Sequence, residues 1–233
     1  MSGGAALIAT ARAQNRSALD ERAGKELLAN FGVSVPKSVV VSSAAGVAMA
    51  AQALRPPWVV KVISPDILHK SDAGGVRIGL QDAVAVEQAI VAMAESPRMA
   101  GARVDGYLIE EMAPAGHELV IGAVRDPQFG PLVMVGLGGI FVEVVADVAF
   151  RICPITRLDA QEMIAELKGA AVLDGARGRK PASRAAIIDV LLRIGGDNGL
   201  LLQHADDFRE ADINPLIVSE AGAVAVDARF ILT

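Results

Sequence analysis

The chain has 233 residues, 52% of them hydrophobic and 21% charged, which suffices for a core in one large domain or two small lobes and excludes a disordered or fibrous chain. Lys and Arg number 22 against 27 Asp and Glu, the net charge is -5 and aromatics reach only 3%, so neither a basic nucleic-acid footprint nor a single-strand stacking platform is expected. The single cysteine, Cys153, forms no internal disulfide, and no Cys/His cluster has zinc-ligand spacing, as suits a reducing compartment.

Ser17 is a plausible cap for a first helix over 17–31, with Asp20 and Glu21 near its positive end and Gly32 as its stop. Residues 1–16 read as an N-terminal extension without the basic region of a secretory signal. A β-branched strand over 38–42 follows, then a small-residue helix over 44–54 that Pro56-Pro57 terminates. Strands are expected over 58–63 and 75–80, and Asp82 caps a helix to about residue 95. Beyond Pro97, strands over 107–112, 118–125, 132–137 and 141–145 are too closely spaced for crossover helices, so they form antiparallel meanders. Helices over 158–168, behind Thr156, and 183–194 precede strands over 211–218 and 224–229. The expected organisation is α+β, with subdomains over 17–105 and 106–233. The apolar run 127–142 is interrupted by glycines and falls short of the about 20 residues of a membrane span. A cytoplasmic protein, with neither membrane nor nucleic acid as partner, is expected.

Four clusters could carry chemistry. Of six lysines, Lys61 and Lys70 bracket one segment, and Lys61 sits within the apolar run Val59-Val60-Lys61-Val62-Ile63. An ammonium buried there needs a compensating anion, and a phosphate would serve; the Gly74-Gly75 pair lets backbone approach such an anion. A lysine snorkelling from an edge strand is the plainer alternative. His69, beside Lys70, could act on phosphorus or shuttle a proton, or be merely solvated. In Glu110-Glu111-Met112, followed by Glu118, the adjacent carboxylates point to opposite faces of a strand. They could accept from an adenine amino group or ribose, or form a charged edge. Gly136-Leu-Gly-Gly-Ile-Phe-Val-Glu143, with Asp147 and Arg151 beyond it, is a backbone cradle or a hairpin and departs from the dinucleotide fingerprint. Lastly, Asp212-Ile-Asn-Pro-Leu places Asp212 and Asn214 on one face, and Asp227 on the next strand falls opposite Asn214. A carboxylate with an amide oxygen suits Mg²⁺, which takes one or two protein oxygens and completes its shell with water and phosphate.

With these clusters in order, the chain resembles the ATP-grasp domain of the NDP-forming acyl-CoA synthetases, most closely the β subunits of ADP-forming acetate–CoA ligases, relatives of the succinyl-CoA synthetase β subunit. Lys61-Val-Ile-Ser-Pro-Asp-Ile-Leu-His-Lys-Ser-Asp72 and Asp212-Ile-Asn-Pro-Leu216 with Val226-Asp-Ala-Arg229 carry the resemblance. It implies an ATP-grasp fold of two α/β lobes with largely antiparallel sheets clamping ATP. It implies that Lys61, with Lys70, binds ATP or ADP phosphates, that Glu110, Glu111 and Met112 form the adenine hinge, and that Glu118 takes the ribose. Asn214 and Asp227 would ligate Mg²⁺, Asp212 would lie near the transferred phosphoryl group, and Arg151 would pair with phosphate oxygens. His69 would relay that group to a histidine of a partner α subunit, which carries the CoA-binding and phosphohistidine domains, in a hetero-oligomer. Glu110 stands where related sequences often carry glutamine. The alternatives are a nucleotide-binding regulatory module without turnover and an ATP-grasp carboxylate–amine ligase.

Overall fold

A computed structural model describes residues 3–67, 70–139, 146–175 and 180–233. The fold divides into two compact units. The larger joins Met1–Val35 to Pro114–Thr233, and the smaller is Pro36–Ala113.

In the smaller unit, β2 (Ser38–Val41), β5 (Gly106–Glu111), β3 (Trp58–Ile63) and β4 (Val76–Leu80) form a four-stranded antiparallel sheet in that order. Helices α3 (Val47–Ala53) and α4 (Ala83–Ala94) pack on it. Asp82 caps α4 by accepting from the Ala85 N–H, satisfying one of the donors a helix start leaves open. Alternation along β3 sends Trp58, Val60 and Val62 into a core shared with Val86, Ile90, Met93, Tyr107 and Ile109. Lys61 and Glu110 therefore belong to the opposite face of the sheet.

The larger unit is built on β1 (Ala18–Leu19), β11 (Arg229–Leu232), β9 (Phe208–Ser219), β6 (His117–Asp126), β7 (Gly130–Leu137) and β8 (Val148–Ile152), in that order, with β10 (Gly222–Ala225) also paired to β9. The β6–β7–β8 portion is the expected meander, but its last strand is Val148–Ile152; the strand read over 141–145 lies outside the described residues. Helices α5 (Arg157–Glu166) and α6 (Arg184–Gly195) cover one face. Thr156 begins α5 with a reciprocal capping box to Asp159. Ile187, Leu191, Ile121, Val133, Val135, Ile213 and Leu216 meet beneath them in the core.

The N-terminal reading needs correction in three respects. Residues 3–13 are a helix, α1 (Gly3–Ala13), with Ile8 and Ala11 buried. The next helix, α2 (Glu21–Asn30), starts at Asp20, whose carboxylate accepts from the Ala23 N–H, because Ala18 and Leu19 are drawn into pairing with β11. The expected subdomains over 17–105 and 106–233 accordingly give way to a discontinuous larger unit. Its N-terminal part stays there because Leu27, Leu28 and Val33 bury in its core, each contributing roughly 1.5–3 kcal/mol for the larger side chains.

Candidate active site

In the smaller unit, Lys61 lies in the middle of β3, and its Nζ is 3.0 Å from Glu110 Oε2 on β5, with the two side chains 9% and 2% exposed. Burial at that level is tolerable for charges only with close opposite charge and further hydrogen bonding. The carboxylate that the sequence suggests for an adenine contact is thus engaged by the lysine. The segment 70–75 folds back beside it. Gly75 donates to the Lys70 carbonyl at 2.7 Å, Gly74 to that of Ser71 at 3.0 Å, and the Gly75 carbonyl accepts from Val62 at 2.8 Å. Gly74 adopts φ +75, a left-handed conformation that glycine takes without strain. A Cβ on Gly75 would come within 2.5 Å of Val62, so this position admits no side chain. His69 lies outside the described residues.

At the end of β5, the Glu111 and Met112 N–H groups donate to the carbonyls of Lys37 at 3.0 Å and Pro57 at 2.9 Å. The Glu111 carboxylate accepts from the Arg55 N–H at 3.1 Å, and the Met112 side chain is exposed. Both N–H groups are therefore already bonded within the unit.

In the larger unit, one face of the sheet is the helix-covered core and the other carries the acidic cluster. Leu119 and Ile121 both point to the core, and so do their partners Leu216 and Ile213. Two residues of β6 thus match three steps of β9. The extra residue is a β-bulge at Asn214-Pro215, opposite Val120, of the kind that re-aims side chains. Asp212 and Asn214 flank core-facing Ile213, so both leave on the other face, Asn214 exposed and Asp212 partly buried. β10 and β11 pair successively with the same edge of β9, Ala225 opposite Leu216 and Arg229 opposite Asp212. That register sets Asp227, in the break between them, level with Asn214, as the sequence spacing suggests. The Val226 N–H donates to the Pro215 carbonyl at 3.1 Å, and Asp227 Oδ1 accepts from the Ala228 N–H at 2.8 Å.

Burial, and then the nearby Asp227 and Glu210 carboxylates, push the Asp212 carboxyl above the ordinary carboxylate range, with Arg229 opposing them. Crowded carboxylates with an adjacent amide oxygen are hard donors that a divalent cation would relieve. No group of three or more His, Cys, Asp or Glu side chains able to hold a metal occurs among the described residues. The donor set fits Mg²⁺, which needs only one or two protein oxygens when phosphate oxygens complete its shell.

Glu118 is exposed near the start of β6, and its carbonyl accepts from Gly138 at 2.7 Å. A Cβ on Gly138 would fall 2.9 Å from Glu118, and one on Gly136 2.8 Å from Val148. These two glycines permit close strand approach; Glu143, at the end of their motif, lies outside the described residues. Arg151 is not brought to the acidic face, contrary to its expected role with phosphate oxygens. It pairs across the ladder with core-facing Val133, so alternation turns it toward α5, where Glu166 and Glu162 bind its guanidinium. Asp147 is likewise structural, accepting from the Lys168 and Gly169 N–H groups at 2.7 and 2.8 Å. Glu21, which the sequence suggests only as a favourable charge at a helix start, and Lys25 both lie on α2. Their spacing resembles an ordinary surface pair, yet both are buried and Lys25 Nζ stands 3.5 Å from the Val226 carbonyl.

A family model described as an ATP-grasp domain matches residues 10–232. The β subunit of acetate–CoA ligase [ADP-forming] I from Pyrococcus furiosus is 41% identical over 97% of this chain and 96% of its own length. The acetate–CoA ligase [ADP-forming] I of Archaeoglobus fulgidus is 42% identical over 90% of this chain, which spans only 30% of that protein. Among solved structures, the acetyl-coenzyme A synthetase 1 of Ca. Korarchaeum cryptofilum, in complex with coenzyme A and Ca-AMPCP, matches 99% of this chain and all of its own, with TM-score 0.94 and 37% identity. A second state of that enzyme holds coenzyme A and Mg-AMPPCP, with a phosphohistidine segment pointing towards the nucleotide-binding site, and matches the same shares at TM-score 0.84 and 36% identity.

Proposed function

Because the chain belongs to the ATP-grasp family, among the β subunits of ADP-forming acetate–CoA ligases, we propose that its residues bind nucleotide and Mg²⁺ and pass a phosphoryl group to a histidine of a partner α subunit. The partner binds CoA and completes the interconversion of acid, CoA and ATP with acyl-CoA, ADP and phosphate. In the forward direction the bond between the terminal phosphorus and the bridging oxygen of ATP breaks, ADP leaves and a P–N bond forms on the relay, His69; that bond then breaks as a P–N bond forms on the partner's histidine. Such a transfer asks the protein mainly for positioning and charge neutralisation.

Lys61 supplies a fixed cation for phosphate oxygens, and Glu110 holds its ammonium in place at 3.0 Å. Lys70 adds a second positive charge at the start of the loop. Met112 offers an exposed apolar surface to the adenine ring and Glu111 borders it; Glu118 accepts from the ribose hydroxyls. Asn214 and Asp227 would hold Mg²⁺, which would supply positive charge to neutralise the phosphate groups during transfer. Asp212, with its carboxyl raised in pKa by burial and by Asp227, lies beside that site and faces the transferred group. His69 is the relay toward the partner. The observation that carries this reading is the bulge at Asn214-Pro215 with the register that levels Asp227 against Asn214. Calorimetry of ADP binding with Mg²⁺ and with EDTA tests it. Magnesium is expected to tighten binding in the wild type and not in Asp227→Ala; equal tightening in both would refute the ligand assignment.

A further inference from the structure

We propose that Glu21 and Lys25 of α2 are positioning residues for Asp227, an inference that rests on the reading of Asp227 as a Mg²⁺ ligand. Lys25 is 3% exposed and Glu21 6%, and their Nζ–Oε1 distance is 2.7 Å. A surface pair at this spacing would contribute little, whereas burying both ions carries a desolvation cost that an apolar pair of similar volume avoids. Stability alone therefore gives a weak account of why charges occupy this interface.

Their placement gives a better one. Lys25 Nζ faces the carbonyl of Val226 at 3.5 Å, the residue immediately before Asp227. Residues 226–228 are the break between β10 and β11, where the continuous ladder to β9 is interrupted. Without a ladder the segment needs other restraints, and it has them on two sides. The Val226 N–H is tied to the Pro215 carbonyl of the bulge at 3.1 Å, and the Val226 carbonyl faces Lys25. The helix also comes very close, since a Cβ on Gly24 would lie 2.8 Å from the Ala228 carbonyl oxygen. Glu21 anchors the ammonium, the ammonium orients the Val226 carbonyl, and the peptide so fixed sets the direction in which the Asp227 carboxylate leaves the chain. Groups that orient a metal ligand through one intermediate contact commonly change metal affinity by about tenfold or more when removed.

The test compares two double variants of the full chain. In Glu21→Met/Lys25→Met the pair becomes apolar at similar volume. In Glu21→Gln/Lys25→Gln the charges go, but the introduced amide can still donate to the Val226 carbonyl. ADP binding is measured by calorimetry with Mg²⁺ and with EDTA, alongside thermal unfolding and Mn²⁺ binding by electron paramagnetic resonance. The methionine variant is expected to unfold no earlier than wild type and to bind ADP in EDTA normally. It should lose about tenfold of the gain that Mg²⁺ gives wild type, with a matching loss for Mn²⁺, and the glutamine variant should retain most of that gain. A methionine variant with the full Mg²⁺ gain, or equal losses in both double variants, would overturn the proposal. No Mg²⁺ gain in the wild type would instead overturn the reading of Asp227 itself, and this proposal with it.

Discussion

Replacing Lys61 by methionine removes one half of a buried ion pair and one cation from the expected phosphate site, and the two effects can be separated. At 3.0 Å from Glu110, with an effective dielectric of about 20, the attraction is ~5–6 kcal/mol. Desolvation of the two ions opposes it by several kcal/mol each, so the intact pair is close to neutral against an apolar substitute. Lys61→Met leaves the Glu110 carboxylate buried without this cation, at a cost of about 3–5 kcal/mol. At roughly 2–4 °C per kcal/mol for a chain of this size, the thermal midpoint should fall by ~6–20 °C. Lys61→Met/Glu110→Met removes both charges and should recover the wild-type midpoint or exceed it. Nucleotide binding should behave differently, because the stable double variant still lacks the phosphate-binding cation and should bind ATP–Mg²⁺ much more weakly than wild type. Differential scanning calorimetry and titration calorimetry on both variants decide the matter. A single variant as stable as wild type would refute the buried-pair argument, and a double variant binding ATP–Mg²⁺ as tightly as wild type would refute the phosphate role of Lys61.

Asp212 has its folded-state pKa raised, so between the ordinary carboxylate value and that raised value the folded chain holds more protons than the unfolded one. Stability should therefore fall as pH rises through that window. Asp212→Asn should stabilise the metal-free chain at neutral pH and flatten this dependence in pH-resolved melting, while abolishing phosphoryl transfer; an unchanged pH profile would contradict the burial of Asp212 beside Asp227 and Glu210. Arg151→Met should leave nucleotide affinity unaltered by calorimetry, since its guanidinium is held by Glu162 and Glu166 of α5; a large loss would return Arg151 to the phosphate site. Thr156→Ala removes a capping box and should destabilise by about 1 kcal/mol with no change in ADP affinity, as read by thermal melting and calorimetry.

Features set by neighbours in the chain were legible in the sequence. Asp82 and Thr156 begin helices where their side chains predict it, because a cap is a contact three residues long. The strand Trp58–Ile63 was legible to the residue, since its apolar run ends at turn-forming residues on both sides. Distant partners obscured the rest. Helix α1 begins with two glycines and buries only Gly4, Ile8 and Ala11, leaving a weak stripe whose purpose appears only when it meets the larger core. Strand β8 is defined by its ladder with β7 and not by an alternation strong enough to stand alone. The Asp212–Asn214–Asp227 arrangement was legible because β9 and β10, joined by the two-residue turn Glu220-Ala221, fix their own register. The pairing of Glu110 with Lys61 was not legible because the two sit on different strands, nor was that of Arg151 with α5, because alternation on an unrecognised strand determines which face Arg151 takes. Glu21 and Lys25 give no sequence signal of burial; their enclosure and the approach of Val226 set them apart.

The most direct measurement mixes the chain, its partner α subunit, Mg²⁺ and ATP labelled in the terminal phosphate, then follows the label in acid-labile, base-stable protein phosphate. Transfer to a histidine of the partner is predicted with wild type, strong loss with Asp227→Ala, and loss again with His69→Asn. Wild-type protein that binds ATP–Mg²⁺ and assembles with its partner, yet never moves the label to a histidine, would contradict the account.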